Sequence, residues 1–411
     1  MIDRNAFYGG ASASLDLRAL FDRFEGAARG GPTPAEIAGF TKGAGDVHAF
    51  RCDLTPKFIM AGGTLARILQ RTGATRYLDL YQVDGSFAAK SGGAKLHKVP
   101  ATSTEAVQSS LVGFFQKRRL RAVLKFAMEC DLGDAAGPAG KEGAAGAGAA
   151  GSGSGSGNAE RQRLCTTTAR QFLMDEHWCD ESTCEFIGHC IALYTDDAYL
   201  DGPALSLVEN LRLYATSLLT YQDSSSPFLY PEYGLGGMPE AFARLCSIHG
   251  GDFMLARDVS ELVFEQAGER GGKGGSGGGD LGGGRVCAVK SWNAEKQCME
   301  AATIRTVIGD PSYFADARWR VQQGRVIRCI CLLSGPVPGL EKQKNARGEK
   351  IESAQIIIPK SQCEPKRMHD IYVSVVGHAM QCTPEGVYCA TISTMMESSA
   401  PDGGAAATIE A

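Results

Sequence analysis

Apolar positions in this chain follow two periods. Leu15 to Phe24 carries the helical one, with Leu17, Leu20, Phe21 and Phe24 in a single stripe. Leu54 to Leu69 predicts a second helix, with Phe58, Leu65 and Leu69 inward. From Tyr77 to Val99 the period shortens, and alternating pieces broken by Asp84-Gly85 and Ser91-Gly92-Gly93 predict a hairpin-rich sheet. Thr102-Ser103-Thr104-Glu105 has the spacing of a capping box and opens a helical region. Its apolar positions include Val107, Leu111, Phe114, Phe115, Val123, Leu124 and Phe126. The basic run Lys117, Arg118, Arg119 and Arg121 interrupts them and reads as a solvated helix face. Helical signals resume at Thr168. Ser182-Thr183-Cys184-Glu185 is a second capping box, ahead of Phe186, Ile187, Cys190, Ile191 and Tyr194 on one face. Pro203 opens a long helix with Leu207, Leu211, Tyr214 and Leu218 inward. Residues from Thr102 to Tyr221 therefore form a mainly helical block between two sheet-containing segments.

The densest run of position-specific residues is Ser224 to Met254. Two prolines bracket an aromatic, strand-like segment, a glycine turn follows, and Pro239 suits the first turn of a helix. Phe242, Leu245, Cys246 and His249 fall on one face, which predicts burial. Glu240, Arg244 and Ser247 fall on the other, with Glu240 four residues ahead of Arg244. Gly250-Gly251 supplies a left-handed stop. Residues 259–266 read as a strand or as a short helix with a strand, and further strands are expected over 285–291, 298–308, 326–333, 354–358, 371–376 and 387–394.

Length and composition then narrow the picture. At 411 residues the chain exceeds what one core usually holds, so two domains are expected. The order sheet, helical block, sheet predicts an α/β (α+β) protein whose sheet domain is discontinuous in sequence. Gly133 to Gly157 and Gly268 to Gly284 are nearly all small residues, too poor in apolar surface to offset chain entropy, and are expected to be disordered insertions. Residues 399–411 form a similar tail. A net charge of −4 has no basic excess, which argues against nucleic acid as a partner. No run has the length of a membrane-spanning helix and no signal peptide opens the chain, so its fourteen cysteines are expected to be reduced thiols in the cytoplasm.

Candidate chemistry is thin. His177, Cys179, Cys184, His189 and Cys190 could be drawn as a zinc site, but the spacing fits no paired CxxC arrangement. Core and surface thiols are the reading kept, and no metal is expected. Cys329 and Cys331 share a strand face, so a CxC ligand pair is geometrically possible, although buried strand cysteines are commoner. Gly234-Leu235-Gly236-Gly237 leads into a helix, as a phosphate cradle does, yet it lacks the P-loop lysine and the full GxGxxG fingerprint. Asp196, Asp197 and Asp201 are not fixed as an acid/base pair. No catalytic set emerges, and neither a cofactor nor an enzyme activity is expected.

The residues do carry a resemblance. Asp3-Arg4-Asn5, Tyr8-Gly9-Gly10, Ser12-Ala13-Ser14, Asp53-Leu54 and Thr75-Arg76-Tyr77-Leu78-Asp79 are matched in order. So are Gly188-His189, Tyr199-Leu200-Asp201, Leu229-Tyr230-Pro231, Tyr233-Gly234-Leu235-Gly236 and Phe242-Ala243-Arg244-Leu245, then Asp310-Pro311-Ser312-Tyr313 and Gln355-Ile356-Ile357-Ile358-Pro359. Across these motifs the chain resembles Rab GDP-dissociation inhibitors, which share a superfamily with Rab escort proteins. The family starts with a strand, turn and helix before Asp3, and ends with elements beyond Ser398, so the chain is expected to be truncated at both ends.

The resemblance implies an FAD/NAD(P)-binding-like sheet domain, residues 1–101 and 224–398, that binds Rab, and an inserted helical lipid-binding domain, residues 102–223. It implies a protein that binds GDP-loaded, prenylated Rab GTPases, slows GDP release, and carries them between membranes and cytosol as a monomer with transient membrane association. The alternatives are a Rab escort protein and an FAD-dependent oxidoreductase of the amine oxidase type. Tyr8, Arg244 and Met254 match the family's Rab-binding platform. His48, Gly237, Glu240 and Asp252 stand at platform positions where the family has other residues; Gly237 replaces a glutamate. Thr220, Tyr221 and Phe228 correspond to a mobile loop near the Rab tail. Leu111, Phe115, Leu124, Ile187 and Ile191 are the candidate pocket for the geranylgeranyl lipid.

Overall fold

The computed structural model describes residues 1–24, 47–90, 92, 95–133, 154–222, 224–265, 285–294, 296–314 and 323–397. Within them the chain divides into two units: residues 1–13 with 238–324, and residues 14–237 with 325–411.

The larger unit is built on a six-stranded sheet. Its order is Val326–Leu333, Tyr388–Met395, Ile371–Val376, Ser353–Ile358, Gly85–Lys90 and Lys95–Lys98. All neighbours are antiparallel except Ser353–Ile358 beside Gly85–Lys90. Because successive strand residues point to opposite faces, Phe87 and Ala88 serve two different cores, as do Ile356 and Ile357. Phe87 and Ile356 join Val373, Val375, Tyr388 and Ala390 under Leu340 and Ile351. Ala88 and Ile357 join the helical block, where Val123, Leu164, Phe172, Ile187, Leu207 and Leu211 are fully buried. The mixed helix-and-sheet class is observed, and so are the expected strands, except that the one expected over 298–308 ends at Thr303.

The helical block contains Phe114–Glu129, Ser154–Thr166 and Ala204–Leu218. Arg212 on the last of these donates to the Ala127 and Cys130 carbonyls, supplying the terminal acceptors of the first helix with a cation. The expected insertion over 133–157 lies outside the described residues for 134–153; residues from Ser154 onward are helical instead, well before Thr168. The expected insertion at 268–284 and the tail also fall outside.

Three expectations needed correction. The helix read from Leu54 begins only at Thr64, because Pro56 interrupts it and Gly63 enters extended; Ile59–Met60 is a strand. Its inward residues are Ala66 and Leu69, while Leu65 faces outward. The box at Ser182 is displaced: Asp180 caps that helix, accepting from the Thr183 N–H at 2.8 Å. Thr102 does cap its own helix, accepting from Glu105 N–H.

The smaller unit holds an antiparallel sheet of Cys298–Thr303, Arg285–Asn293 and Val259–Glu265. It also holds the helix Gly237–Ile248 from Met238 onward.

Candidate functional site

Most of the predicted platform lies in the smaller unit, where the first residues of the chain run beside residues 252–257. Asp3 N–H donates to the Met254 carbonyl at 2.9 Å and Met254 N–H to the Met1 carbonyl at 2.8 Å. Ala256 N–H reaches Asn5 and Arg257 N–H reaches Asp3. This pairing brings Tyr8 onto Phe253, edge to face at 5.6 Å, and leaves Tyr8 37% and Met254 41% exposed. Arg4 lies 4.0 Å over the Tyr313 ring, anchored behind the turn that Asp310 caps at Ser312.

Gly9 explains the glycine after Tyr8. Its φ of +92° is left-handed, and a Cβ there would come within 2.7 Å of Pro239 at the start of the helix. The loop bearing Tyr8 therefore packs against the helix bearing Glu240 and Arg244. Both of those side chains are exposed, as the sequence predicted, and Asp252 is exposed as well. The helix stops as expected. Gly250 has φ +85°, its N–H donates to Ser247 and that of Gly251 to Cys246, which is a Schellman pair. Its buried face differs from the predicted one. Ala241 and Ala243 are buried, Phe242 and Leu245 are partly covered, and Cys246 and His249 are exposed. The helix seats on its alanines, whose small side chains allow closer approach than the larger apolar residues beside them.

His48 and Gly237 belong to the larger unit. His48 pairs with Asp16 at 2.7 Å, and Asp16 caps the helix Leu17–Phe24 through Ala19 N–H. Desolvation opposes it, but the Ala19 N–H and then His48 hold the Asp16 carboxyl below its ordinary value. Gly237 has room only up to Leu78, whose methyl would be 3.0 Å from an added Cβ.

The glycine turn just before it is organised by a residue whose role the sequence reading missed. Asp53 is buried and accepts from Ser14 Oγ at 2.5 Å, Tyr230 OH at 2.5 Å and Leu235 N–H at 3.0 Å. Ser14 Oγ accepts in turn from Gly236 N–H. A Cβ on Gly234 would meet Ser14 Oγ at 2.4 Å, and one on Gly236 the Ser14 nitrogen at 2.5 Å. The turn is wrapped on a carboxylate, so its N–H groups are not free to cradle phosphate. Burial pushes the Asp53 carboxyl up, against the pull of these donors.

The loop and pocket residues separate. Thr220 and Tyr221 are exposed just beyond the helix Ala204–Leu218. Phe228 is not on that loop; it is 2% exposed in the strand Phe228–Pro231, beside Phe58. Leu111, Ile187 and Ile191 are buried together in the helical core, with Leu124 packed against it. Phe115 is 80% exposed and stands apart from them.

The drawn zinc set is not assembled. His177 packs on Phe126 and Phe172, and both nitrogens of His189 are taken, by Asp370 at 2.5 Å and Asp197 at 3.0 Å. Among the described residues no group of three or more His, Cys, Asp and Glu could hold a metal ion, and no helix is long and apolar enough to cross a membrane. The exposed surface of the smaller unit offers an aromatic, a methionine, an arginine and two carboxylates, the chemistry of a protein-binding face.

Comparison with known proteins agrees with that character. A family model described as GDP dissociation inhibitor matches residues 1–138 and 161–410. A guanosine nucleotide diphosphate dissociation inhibitor of Arabidopsis thaliana is 35% identical over 401 residues, covering 98% of this chain and 75% of the relative. A Rab GDP-dissociation inhibitor of Pyricularia oryzae is 34% identical over 405 residues, covering 97% and 74%. Among solved structures, the Rab GDI from Plasmodium falciparum matches with a TM-score of 0.70 at 32% identity, over 97% of this chain and 77% of that one.

Proposed function

The chain belongs to the GDP dissociation inhibitor family, and from that premise we propose that it acts as a Rab GDP-dissociation inhibitor. It binds GDP-loaded Rab GTPases, slows release of GDP, and extracts the prenylated forms from membranes and returns them, cycling through the cytosol as a monomer. The observation that carries this reading is a family match across nearly the whole chain, on both sides of residues 139–160. Neither a Rab escort protein nor an amine-oxidase-type flavoenzyme is favoured by relatives whose names are those of dissociation inhibitors.

Tyr8, Glu240, Arg244, Asp252 and Met254 form the Rab-facing surface of the smaller unit in this reading; His48 and Gly237, on the larger unit, are each assigned a Rab contact of their own. The support is their exposure and the pairing of residues 1–5 with 254–257, which holds Tyr8 and Met254 ready without an ordering cost on binding. The helical block, residues 102–223, takes the lipid. Burying each methylene of a geranylgeranyl chain contributes about 0.8 kcal/mol. Leu111, Leu124, Ile187 and Ile191, which pack together in the helical core, are the apolar surface assigned to it in this reading.

The test is binding of the purified chain to a prenylated, GDP-loaded Rab beside its GTP-loaded and unprenylated forms, with release of a fluorescent GDP analogue and extraction from vesicles as readouts. Slower release and transfer of Rab to the supernatant are expected; no binding to any form overturns the proposal. Arg244→Ala should weaken Rab binding roughly tenfold or more, as a central arginine of an interface does. Its unfolding free energy should change by no more than about 0.5 kcal/mol, the scale of an exposed substitution. Unaltered affinity would remove Arg244 from the surface.

A further inference from the structure

The strand Val326–Leu333 lies at one edge of the six-stranded sheet and, among the described residues, pairs only with Tyr388–Met395. Residues two apart on a strand share a face. Here that face carries Cys329 opposite Ile392 and Cys331 opposite Ala390. The two sulfurs lie 3.6 Å apart, close enough for one thiol to donate to the other. Cys331 packs against the core of Phe87, Ile356 and Tyr388, whereas Cys329 is exposed at its rim.

We propose that Cys329 and Cys331 form a reversible thiol redox site, at which a hydroperoxide converts the pair to an intrachain disulfide. Cys329, as its thiolate, attacks the peroxide oxygen; the O–O bond breaks, leaving a sulfenic acid and releasing hydroxide, or alcohol from an organic peroxide. Cys331 then attacks the Cys329 sulfur, its proton leaves with the departing oxygen as water, and the S–S bond forms. Two thiols lose two electrons and two protons in total, and the peroxide is reduced. Cys329 is the exposed sulfur of the pair, so it meets the peroxide first, while burial, then the hydrogen bond to Cys329, pushes the Cys331 thiol up to about 11.

Reversibility follows from the strand geometry. Two residues of strand span about 6.7 Å between Cα atoms, at the upper end of what a disulfide bridges. Closing the bond draws these residues together, bows the edge strand and stores strain, which makes the bond easily reduced. Cys165, Cys246 and Cys298 are exposed as well and serve as internal controls.

The experiment treats the full chain with equimolar hydrogen peroxide, alkylates remaining thiols under denaturing conditions, and maps peptides by mass. The peptide spanning Cys329 and Cys331 should lose two hydrogens as a disulfide, whereas the control thiols gain oxygen instead, because only this pair has a second thiol in reach for intramolecular closure. Dithiothreitol should restore both alkylated thiols. In Cys331→Ser, dimedone should trap a sulfenic acid at Cys329. Both thiols remaining alkylatable while the controls are oxidised, or a disulfide to any other cysteine, overturns the proposal; the wild-type map decides even if a variant misfolds.

Discussion

Asp53 gathers residues that lie far apart in the chain. Ser14 is 39 positions away, Tyr230 is 177 and Leu235 is 182, yet all three donate to its carboxylate. Hydrogen bonds to a charged group contribute about 1.5–3 kcal/mol each, and a donor left buried without an acceptor costs a similar amount. Asp53→Asn sets an amide where two hydroxyls and an N–H all need an acceptor. It should lower the unfolding free energy by about 2–3 kcal/mol in a urea titration. A loss below about 0.5 kcal/mol, the scale of an ordinary surface substitution, would show that the carboxylate is not what holds the turn. The individual pieces were legible: Ser14, Asp53 and the Gly234-Leu235-Gly236 run all stand in recognisable motifs. Their common partner was not. Hydrophobic period carries no information about which polar groups meet across 180 residues, so the glycine turn read as a phosphate cradle until its acceptor was visible.

Element boundaries were legible where backbone chemistry decides them locally. Gly250 stops its helix because φ +85° suits glycine, and Thr102 caps because its hydroxyl can reach the Glu105 N–H. Where two residues compete for one role, sequence alone could not choose. Asp180 and Ser182 both precede the run Phe186 to Ile191, and only the former accepts from an N–H at the helix start. Asp180→Ala should therefore cost about 1 kcal/mol, the usual loss of a cap. Ser182→Ala should cost less than about 0.5 kcal/mol. Thermal unfolding of the two variants side by side checks this, and equal losses would restore Ser182 to the cap. Phe115 and Phe228 illustrate the remaining gap. Both are large and apolar, and period alone gave no way to see that one would be exposed and the other enclosed beside Phe58.

At the scale of the larger unit, one polar node ties the helical block to the six-stranded sheet. His189, in the segment Phe186–Ile191, meets Asp370 just before the strand Ile371–Val376. Its other nitrogen meets Asp197, which also pairs with Lys360 at 2.5 Å, and Lys360 N–H donates to Asp370. Tyr199 stands edge-on to the imidazole, and a Cβ on Gly188 would collide with the Tyr199 ring at 2.2 Å, so Gly-His is required by what lies above it. Desolvation favours neutral imidazole, but the bond and charge of Asp370, then those of Asp197, hold His189 above its ordinary value of 6.5. Desolvation likewise opposes ionised Asp197, and Lys360 and His189 outweigh it, keeping that carboxyl below 3.8. The signs then differ. The His189 contribution is complete below 6.5 and is lost as pH rises through its folded value. The Asp197 contribution is complete above 3.8 and is lost as acid protonates it. The node is strongest between those limits, and removing one member of a buried pair costs about 3–5 kcal/mol. His189→Gln should accordingly lower the melting temperature most near pH 5–6, with the deficit shrinking steadily toward pH 9, as measured by scanning calorimetry across that range. A deficit that does not change with pH would mean that His189 acts there as a neutral hydrogen-bonding core residue, and that its charge adds nothing to the joint between the helical block and its sheet.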